Sequence, residues 1–278
     1  MQTNLTFEIF FSDLKKAVRK IYLLLFLLMT ACLGCEWKLQ NVADQHDGQA
    51  IAIERYDLLE HRYITTGDIA ALQQMNTEYP TETRMLIENM LQLGPVDDPQ
   101  LKSKLLLFFQ DSTLRQLTND VQKEFADMSD VEKQLSEAFL RLQELLPSIE
   151  FPRVYTQISS LDQSIVAGDG FLGISLDKYL GSDYSLYVHY GYSERQRSMM
   201  TRSFIVPDCI GFFLLSHYPL SESDTTRAAR EQHMGRIQYV VNQVAGRRVF
   251  DNEPVRQAEQ ILSAHRPASM EDFLKQTN

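Results

Sequence analysis

Six histidines and many carboxylates are the side chains of this sequence that could hold a metal or move a proton. No two histidines lie four residues apart, so the H-E-x-x-H helix face that binds zinc in many peptidases is absent. Glu231 and His233 on one predicted helix come nearest, and with His217 they form the candidate set for an atypical metal site. Asp177 and Asp208 could pair across a groove. A place in the first turn of a helix explains Asp208 equally well, because a carboxylate there favours the helix dipole.

Two glycine-containing segments match the letters of known motifs without their context. Residues 168–173 fit G-x-G-x-x-G, but nucleotide binding needs a helix after the motif, and an extended apolar run follows here. A hairpin with its turn at Asp169 and Gly170 is therefore favoured. Residues 173–177 approach the G-x-S-x-G nucleophile elbow, except that Asp177 replaces the glycine that the strained turn requires. Neither segment predicts a nucleotide-binding protein or a serine hydrolase.

A cysteine near the amino terminus carries a different chemistry. Four basic residues within 15–20 precede thirteen mostly apolar residues, 21–33. This run is too short to span a bilayer comfortably and has the size of the apolar region of a secretory signal. Cys32 follows Met-Thr-Ala, as in a bacterial lipobox, which implies cleavage before Cys32 and acylation of it. Cys35 offers a second, poorer position, and an uncleaved signal anchor is the alternative.

Charge and cysteine content restrict the class of protein. The chain has a net charge of −10, and removal of residues 1–31 leaves 23 basic and 35 acidic residues. So acidic a surface repels phosphate, which argues against nucleic acid as a partner and leaves membrane attachment to the acyl chains. Three cysteines exclude a disulfide-stapled scaffold. Cys209 is expected to be buried and inert rather than bridged to Cys35.

Hydrophobic periodicity predicts the elements that position these residues. Residues 36–50 are mostly polar and lack periodicity, which predicts a flexible tether over 32–50, and residues 51–278 predict a single α+β domain. Its amino-terminal half is helical after a short extended segment, with a capping box at Ser129 and Glu132. The middle predicts a small antiparallel sheet that includes a hairpin over 164–177. Further helices are predicted over 206–217, over 225–245 and from Pro254, followed by a polar tail.

Five tyrosines are concentrated after the hairpin. They are Tyr179, Tyr184, Tyr187, Tyr190 and Tyr192. A ligand groove and a packed loop explain this density equally well, and the sequence leaves both interpretations open.

Three blocks of the sequence resemble the gliding motility lipoprotein GldB family of Bacteroidota. They are residues 151–159, residues 173–184 with L-D-x-Y-L-G-x-D-Y as their most specific part, and residues 205–209. The segments at 53–57 and 233–236 also fit the family. The resemblance covers about residues 50–245. It implies an acylated envelope protein with an α+β domain similar to zincin peptidases that lack the metal-binding histidines.

The resemblance also implies a function without catalysis. We expect a lipoprotein that binds envelope proteins as an accessory of gliding motility or secretion, with no cofactor, and a metal-dependent hydrolase is the alternative. The absence of an acidic residue directly after Cys32 favours the outer membrane. A candidate groove would contain Asp177, Tyr179, Asp208, Glu231 and His233. An extended peptide could add to the strand at 171–176. The family usually continues further, so the shorter carboxyl-terminal part leaves the groove less complete.

Overall fold

The computed structural model describes residues 50–221, 226–265 and 267–275, which belong to one compact unit spanning Gly48–Asn278. The predicted signal, Cys32, Cys35 and the tether up to residue 49 lie outside the described residues. None of the helices in the described ranges has the length and apolar composition needed to cross a membrane.

Helices dominate the described chain, as the periodicity predicts. The twelve α-helices within the described ranges are α1 Tyr56–Thr66, α2 Ile69–Glu78, α3 Pro80–Arg84, α4 Leu101–Phe108, α5 Ser112–Glu124, α6 Ser129–Leu145, α7 Ser185–His189, α8 Glu194–Arg197, α9 Ile205–His217, α10 Arg227–Ala245, α11 Glu253–His265 and α12 Met270–Lys275. A π-helical segment, Met85–Met90, continues α3. Short 3-10 turns at Leu176–Lys178 and Arg202–Phe204 precede the tyrosine-rich region and α9.

Four strands form one small sheet, and its topology corrects the antiparallel sheet expected from the sequence. They are β1 Ile53–Glu54, β2 Arg153–Gln157, β3 Ile165–Gly168 and β4 Phe171–Ser175, in the order β1-β2-β4-β3. The predicted hairpin of β3 and β4 is confirmed, with Gly170 at φ 72° in its turn. However, β2 pairs in parallel with both β1 and β4. The long helical segment between β1 and β2 provides the crossover that a parallel pair needs, so the α+β sheet is mixed.

The sheet lies between two apolar cores because side chains alternate along its strands. Val154 belongs to the core with α6, α9 and α10, whereas Tyr155 belongs to the core with α1, α2 and α4. Gly173 lies beside the Tyr155 ring, and a Cβ atom there would lie 2.5 Å from that ring. A glycine at this position therefore makes room for a buried aromatic side chain.

Helix α6 closes the free edge of the sheet beside β1. The backbone N–H of Ile51 donates to Ser136 Oγ, and that of Ile53 donates to Glu132 Oε1, both at 2.9 Å. The predicted capping box at Ser129 is therefore wrong, since Glu132 bonds to β1 and not to its own helix end. The N–H of Ser129 instead donates to Asp127 Oδ1 at 2.9 Å.

The carboxyl-terminal helices add a correction to the predicted polar tail. Helix α10 ends where Gly246 adopts φ 64°, as predicted. The segment expected to be a polar tail contains α12, whose Phe273 and Leu274 are buried. The Phe273 ring contacts that of Tyr239 on α10 at 5.7 Å between centroids.

Candidate functional site

Three buried carboxylates lie where the parallel strands end. Asp57 follows β1 in the first turn of α1, Glu60 follows on the same helix, and Asp177 follows β4. The side chains of all three are at most 1% exposed. We call these three residues the carboxylate cluster, because the carboxyl edge of parallel strands is where binding sites often form in α/β sheets.

Asp57 is an internal anchor. Arg55 donates to both of its carboxylate oxygens at 2.8 Å, and Gln122 Nε2 donates to Oδ2 at 2.9 Å. The hydroxyl of Thr156 on β2 donates to Oδ1. These donors connect the junction between β1 and α1 with α5 and β2, so the carboxylate's hydrogen-bonding capacity is used inside the protein.

Asp177 holds the loop that follows β2. Its carboxylate accepts the N–H of Ser159 at 3.0 Å and that of Leu161 at 2.5 Å. Ser160 and Leu161 have φ of 55° and 68°, a region that non-glycine residues seldom adopt. Burial raises the pKa of Asp177, while its backbone hydrogen bonds lower it. The carboxylate therefore stabilises a strained turn.

Glu60 has the least compensated carboxyl group of the cluster. Its Oε2 accepts the N–H of Ile158 at 2.8 Å, while Oε1 has no hydrogen-bond partner. Burial raises its pKa well above the ordinary value, the bond from Ile158 opposes this, and the charges of Asp57 and Asp177 raise it further. Glu60 was not among the site residues predicted from the sequence. Its position three residues after Asp57 on one helix face is the signal that could have revealed it.

Asp177 and Asp208 do not form the predicted carboxylate pair. Asp208, in the first turn of α9, accepts a hydrogen bond from the hydroxyl of Tyr179 at 2.8 Å. Burial raises the pKa of Asp208 to about 7, and the bond from Tyr179 opposes this rise. Its neighbour Cys209 is a free, buried thiol whose pKa burial raises, which confirms that this cysteine is buried.

The histidines of the candidate metal set line a separate cleft of about 200 Å³. We call it the histidine cleft; it is lined by His217, Tyr218, Pro219, Leu220, Ser221, His233, Leu274 and Lys275. His233 is 6% exposed and its Nε2 has no hydrogen-bond partner. Burial and the charge of Arg236 lower the pKa of His233, and a hydrogen bond with the Tyr218 backbone opposes this shift. The Nδ1 of His217 donates to the Phe213 carbonyl at 2.9 Å.

Glu231 does not complete a metal site with these histidines. It is exposed on α10 and forms an ion pair with Arg227 at 2.7 Å. Across the residues that the structure describes, no three His, Cys, Asp or Glu side chains form a group that could hold a metal ion. The residues of the predicted groove therefore lie in four separate places. These are the sheet edge, the Tyr179–Asp208 pair, the histidine cleft and an exposed helix face.

The predicted strand addition at residues 171–176 is wrong in its location. Strand β4 lies inside the sheet and pairs with β2 on one side and β3 on the other. No backbone edge of β4 is therefore open to an added peptide.

The tyrosine-rich region is a packed loop for most of its residues. Tyr179 and Tyr187 are buried, and the Tyr187 ring contacts those of Tyr184 and Tyr192 at 5.1 and 5.9 Å between centroids. Tyr190 differs, because its side chain is exposed.

These features define an α+β body in which the acidic residues of the family-like blocks support internal structure. A family model described as gliding motility protein GldB matches residues 38–248, about three quarters of the chain. The chain belongs to this family, which confirms the resemblance seen in the sequence. It is a gliding-motility-related lipoprotein, and the family implies a lipid-anchored location in the cell envelope. Searches of curated proteins and of solved structures found no match.

Proposed function

We propose that the protein is a non-catalytic lipoprotein that binds protein partners in the envelope as an accessory of gliding motility or secretion. Acyl chains on Cys32 hold it in the outer membrane, and the folded body carries the binding surface. As part of this proposal, the fold of the domain is similar to that of zincin peptidases.

One observation carries the proposal: the carboxylates of the family-like blocks act on the protein itself. Asp57 and Asp177 are fully buried, and their oxygens accept hydrogen bonds from neighbouring backbone and side chains. A carboxylate that activates water or binds a substrate needs hydrogen-bonding capacity directed at the reacting atoms. The use of both groups as internal anchors favours a body that presents a surface to partners.

Crosslinking in intact cells tests partner binding. The full chain, with an affinity tag at its carboxyl terminus, is crosslinked and purified under denaturing conditions, and attached proteins are identified by mass spectrometry. We expect the same envelope protein in independent cultures. A lipoprotein of unrelated sequence with the same signal and tag is the control. Equal recovery of every attached protein with this control would contradict the proposal.

Metal analysis tests the alternative of a metal-dependent hydrolase. Protein that lacks residues 1–31 is purified without chelator and its zinc content is measured. The proposal expects zinc well below one ion per chain. One tightly held zinc ion per chain, lost in His233→Ala but kept in the exposed-surface control Glu137→Ala, would overturn the non-catalytic assignment.

Labelling with palmitate and membrane fractionation test the anchor. We expect the label to disappear in Cys32→Ser, to remain in Cys35→Ser, and to separate with outer-membrane markers. A label that survives Cys32→Ser and vanishes in Cys35→Ser would place the lipid three residues further on. Recovery with inner-membrane markers would refute the outer-membrane assignment.

A further inference from the structure

The histidine cleft has the composition of a small binding site. Its lining combines apolar side chains, Pro219, Leu220 and Leu274, with two histidines and Lys275. Ligand sites typically join such apolar walls to a few polar groups that fix orientation. The cleft holds about 200 Å³, less than the roughly 300–1,000 Å³ of sites for drug-sized molecules. It therefore has room for one small ring.

His233 provides an acceptor atom that the fold does not use. The ring donates one N–H to the carbonyl of Tyr218. Among the described residues Nε2 has no hydrogen-bond partner, so the donating nitrogen is Nδ1. Burial and the charge of Arg236 lower the pKa of His233, so the ring is neutral at pH 7 and Nε2 carries a lone pair. A buried acceptor of this kind is stabilised by a donor from outside the protein.

His217 is bonded to the backbone in the same way. Its Nδ1 lies 2.9 Å from the Phe213 carbonyl. Because a carbonyl can only accept, Nδ1 carries the proton, and the Nε2 of the neutral ring is an acceptor. His217 is the last residue of α9, and His233 lies in α10. Two helices therefore each contribute one imidazole acceptor to the lining of the cleft.

The charges beside the cleft favour an uncharged ligand. A metal ion or an ammonium group at His233 would be repelled by Arg236, whose positive charge acts on that ring. A carboxylate has only acceptor atoms and would meet the lone pairs of the imidazoles. The Lys275 ammonium group, which could attract an anion, is already paired with Glu271 at 2.7 Å. The arrangement therefore favours a neutral hydrogen-bond donor.

Neighbouring hydroxyl groups match these acceptors better than an amide does. Each hydroxyl donates one hydrogen bond and accepts others, so a ring with several hydroxyls can donate to both imidazoles and accept from Lys275. A peptide unit has a single N–H and can donate to only one imidazole. Tyr218 and Leu274 also line the cleft and provide apolar surface for the C–H groups of such a ring.

We propose that the histidine cleft binds one sugar ring, with the Nε2 atoms of His217 and His233 accepting hydrogen bonds from its hydroxyl groups and Lys275 donating to one of its oxygens. This ligand goes beyond the proposed function, which concerns protein partners. A free sugar and the terminal unit of a glycan share this chemistry.

Calorimetric titration with single sugars is the first part of the test. The full chain is purified in a detergent without sugar head groups and titrated with glucose, galactose, mannose and N-acetylglucosamine. We expect at least one of them to bind with a dissociation constant on the order of 1 mM or tighter, as small ligands do. Acetate, zinc and N-acetylglycinamide represent the anion, the cation and the amide. The proposal is wrong if no sugar binds, or if one of these three binds as tightly as any sugar.

Methyl glycosides of the sugars that bind identify the source of the ligand. Equal affinity of the glycoside and the free sugar would assign the terminal unit of a glycan, because the linkage position then tolerates a substituent. Loss of binding on methylation would assign a free sugar. Either result supports a sugar ring as the occupant.

Substitutions of the two histidines are the second part. His233→Phe keeps a ring but removes both nitrogens, and it should weaken sugar binding about tenfold, as expected for a lost hydrogen bond. His217→Phe, at an exposed position that tolerates substitution, should also weaken binding and decides the question if His233→Phe does not fold. The matched control His189→Phe changes an exposed histidine of α7 and should stay within about twofold. Wild-type affinity in both cleft variants, or an equal loss in the control, would refute the site.

Histidine labelled with ¹⁵N gives a readout that a purely structural role of His233 would not move. The Nε2 resonance of His233, assigned by its absence in His233→Phe, should shift on addition of the sugar as the lone pair accepts a hydrogen bond, while that of His189 should not. An unchanged Nε2 resonance at saturating sugar would contradict the proposed contact. Failure of the sugar site would leave the binding of protein partners untouched, since crosslinking tests that separately.

Discussion

The carboxylate cluster and the histidine cleft differ in how their polar groups are satisfied. In the cluster, Asp57 and Asp177 accept hydrogen bonds from several elements at once, although Oε1 of Glu60 has no partner. In the cleft, the Nε2 of His233 has no partner, and Glu231 lies on the surface nearby on the same helix. A saturated polar group contributes to folding, whereas an unsaturated one is available to a ligand. Residue types that suggest chemistry in a sequence can thus have opposite roles in the fold.

Asp57→Ala should cause the largest loss of stability. It removes the acceptor for Arg55, which is only 19% exposed, and leaves that charge without its partner. Loss of one member of a buried pair costs about 3–5 kcal/mol of unfolding free energy. Urea unfolding at pH 7 measures it. Glu137→Ala, which breaks an exposed ion pair with Arg141, is the control and should change the midpoint little. Equal effects of the two variants would show that Asp57 is not an anchor.

Asp177→Asn should have a smaller but localised effect. Asparagine keeps one acceptor oxygen and directs an amide group toward the second backbone N–H, which then lacks a partner. An unsatisfied buried donor costs about 1–3 kcal/mol. Amide hydrogen exchange at Leu161 should accelerate more than exchange in α6, which serves as the internal control. Unchanged exchange at Leu161 would mean that the carboxylate does not hold the loop.

These two anchors also show how much of the fold the sequence predicts. Local patterns located the hairpin, the stop at Gly246 and the helix that begins near Pro207, because neighbouring residues determine them. The partners of Glu60 could not be predicted in this way, since its bond to Ile158 joins residues 98 positions apart. The parallel pairing of β1 with β2 depends on a similarly long crossover. Long-range pairing is therefore where the predicted antiparallel sheet and the predicted groove went wrong.

Asp208 is a further carboxyl group of the family-like blocks, and it should make the free energy of unfolding depend on pH. Its pKa in the folded protein is about 7 because of burial, whereas an unfolded aspartate has a pKa of about 3.9. The folded state therefore holds the proton more tightly, and stability that is present below about pH 4 is lost as the pH rises to about 7. We expect the free energy of unfolding to decrease steadily between these two pH values. Urea unfolding at several pH values measures it.

Two variants isolate the contribution of Asp208. Asp208→Asn cannot ionise and should remove that part of the pH dependence, while its carbonyl still accepts from Tyr179. Tyr179→Phe removes the hydrogen bond that opposes the raised pKa, so the loss should extend to higher pH. Parallel pH profiles for the wild type and Asp208→Asn would show that the carboxyl group titrates normally in the folded protein.

Glu231→Ala should have the smallest effect and decides whether the cleft extends onto the helix surface. The Glu231–Arg227 pair is exposed on both sides, and solvent-exposed pairs of this kind contribute little to stability. We therefore expect the same urea midpoint and the same partner capture as for the wild type. His233→Ala, which removes a buried side chain from the lining of the cleft, should lower the midpoint because it enlarges the empty space there. A loss of partner capture in Glu231→Ala without loss of stability would show that Glu231 belongs to the functional surface. It would also show that this surface extends to the histidine cleft.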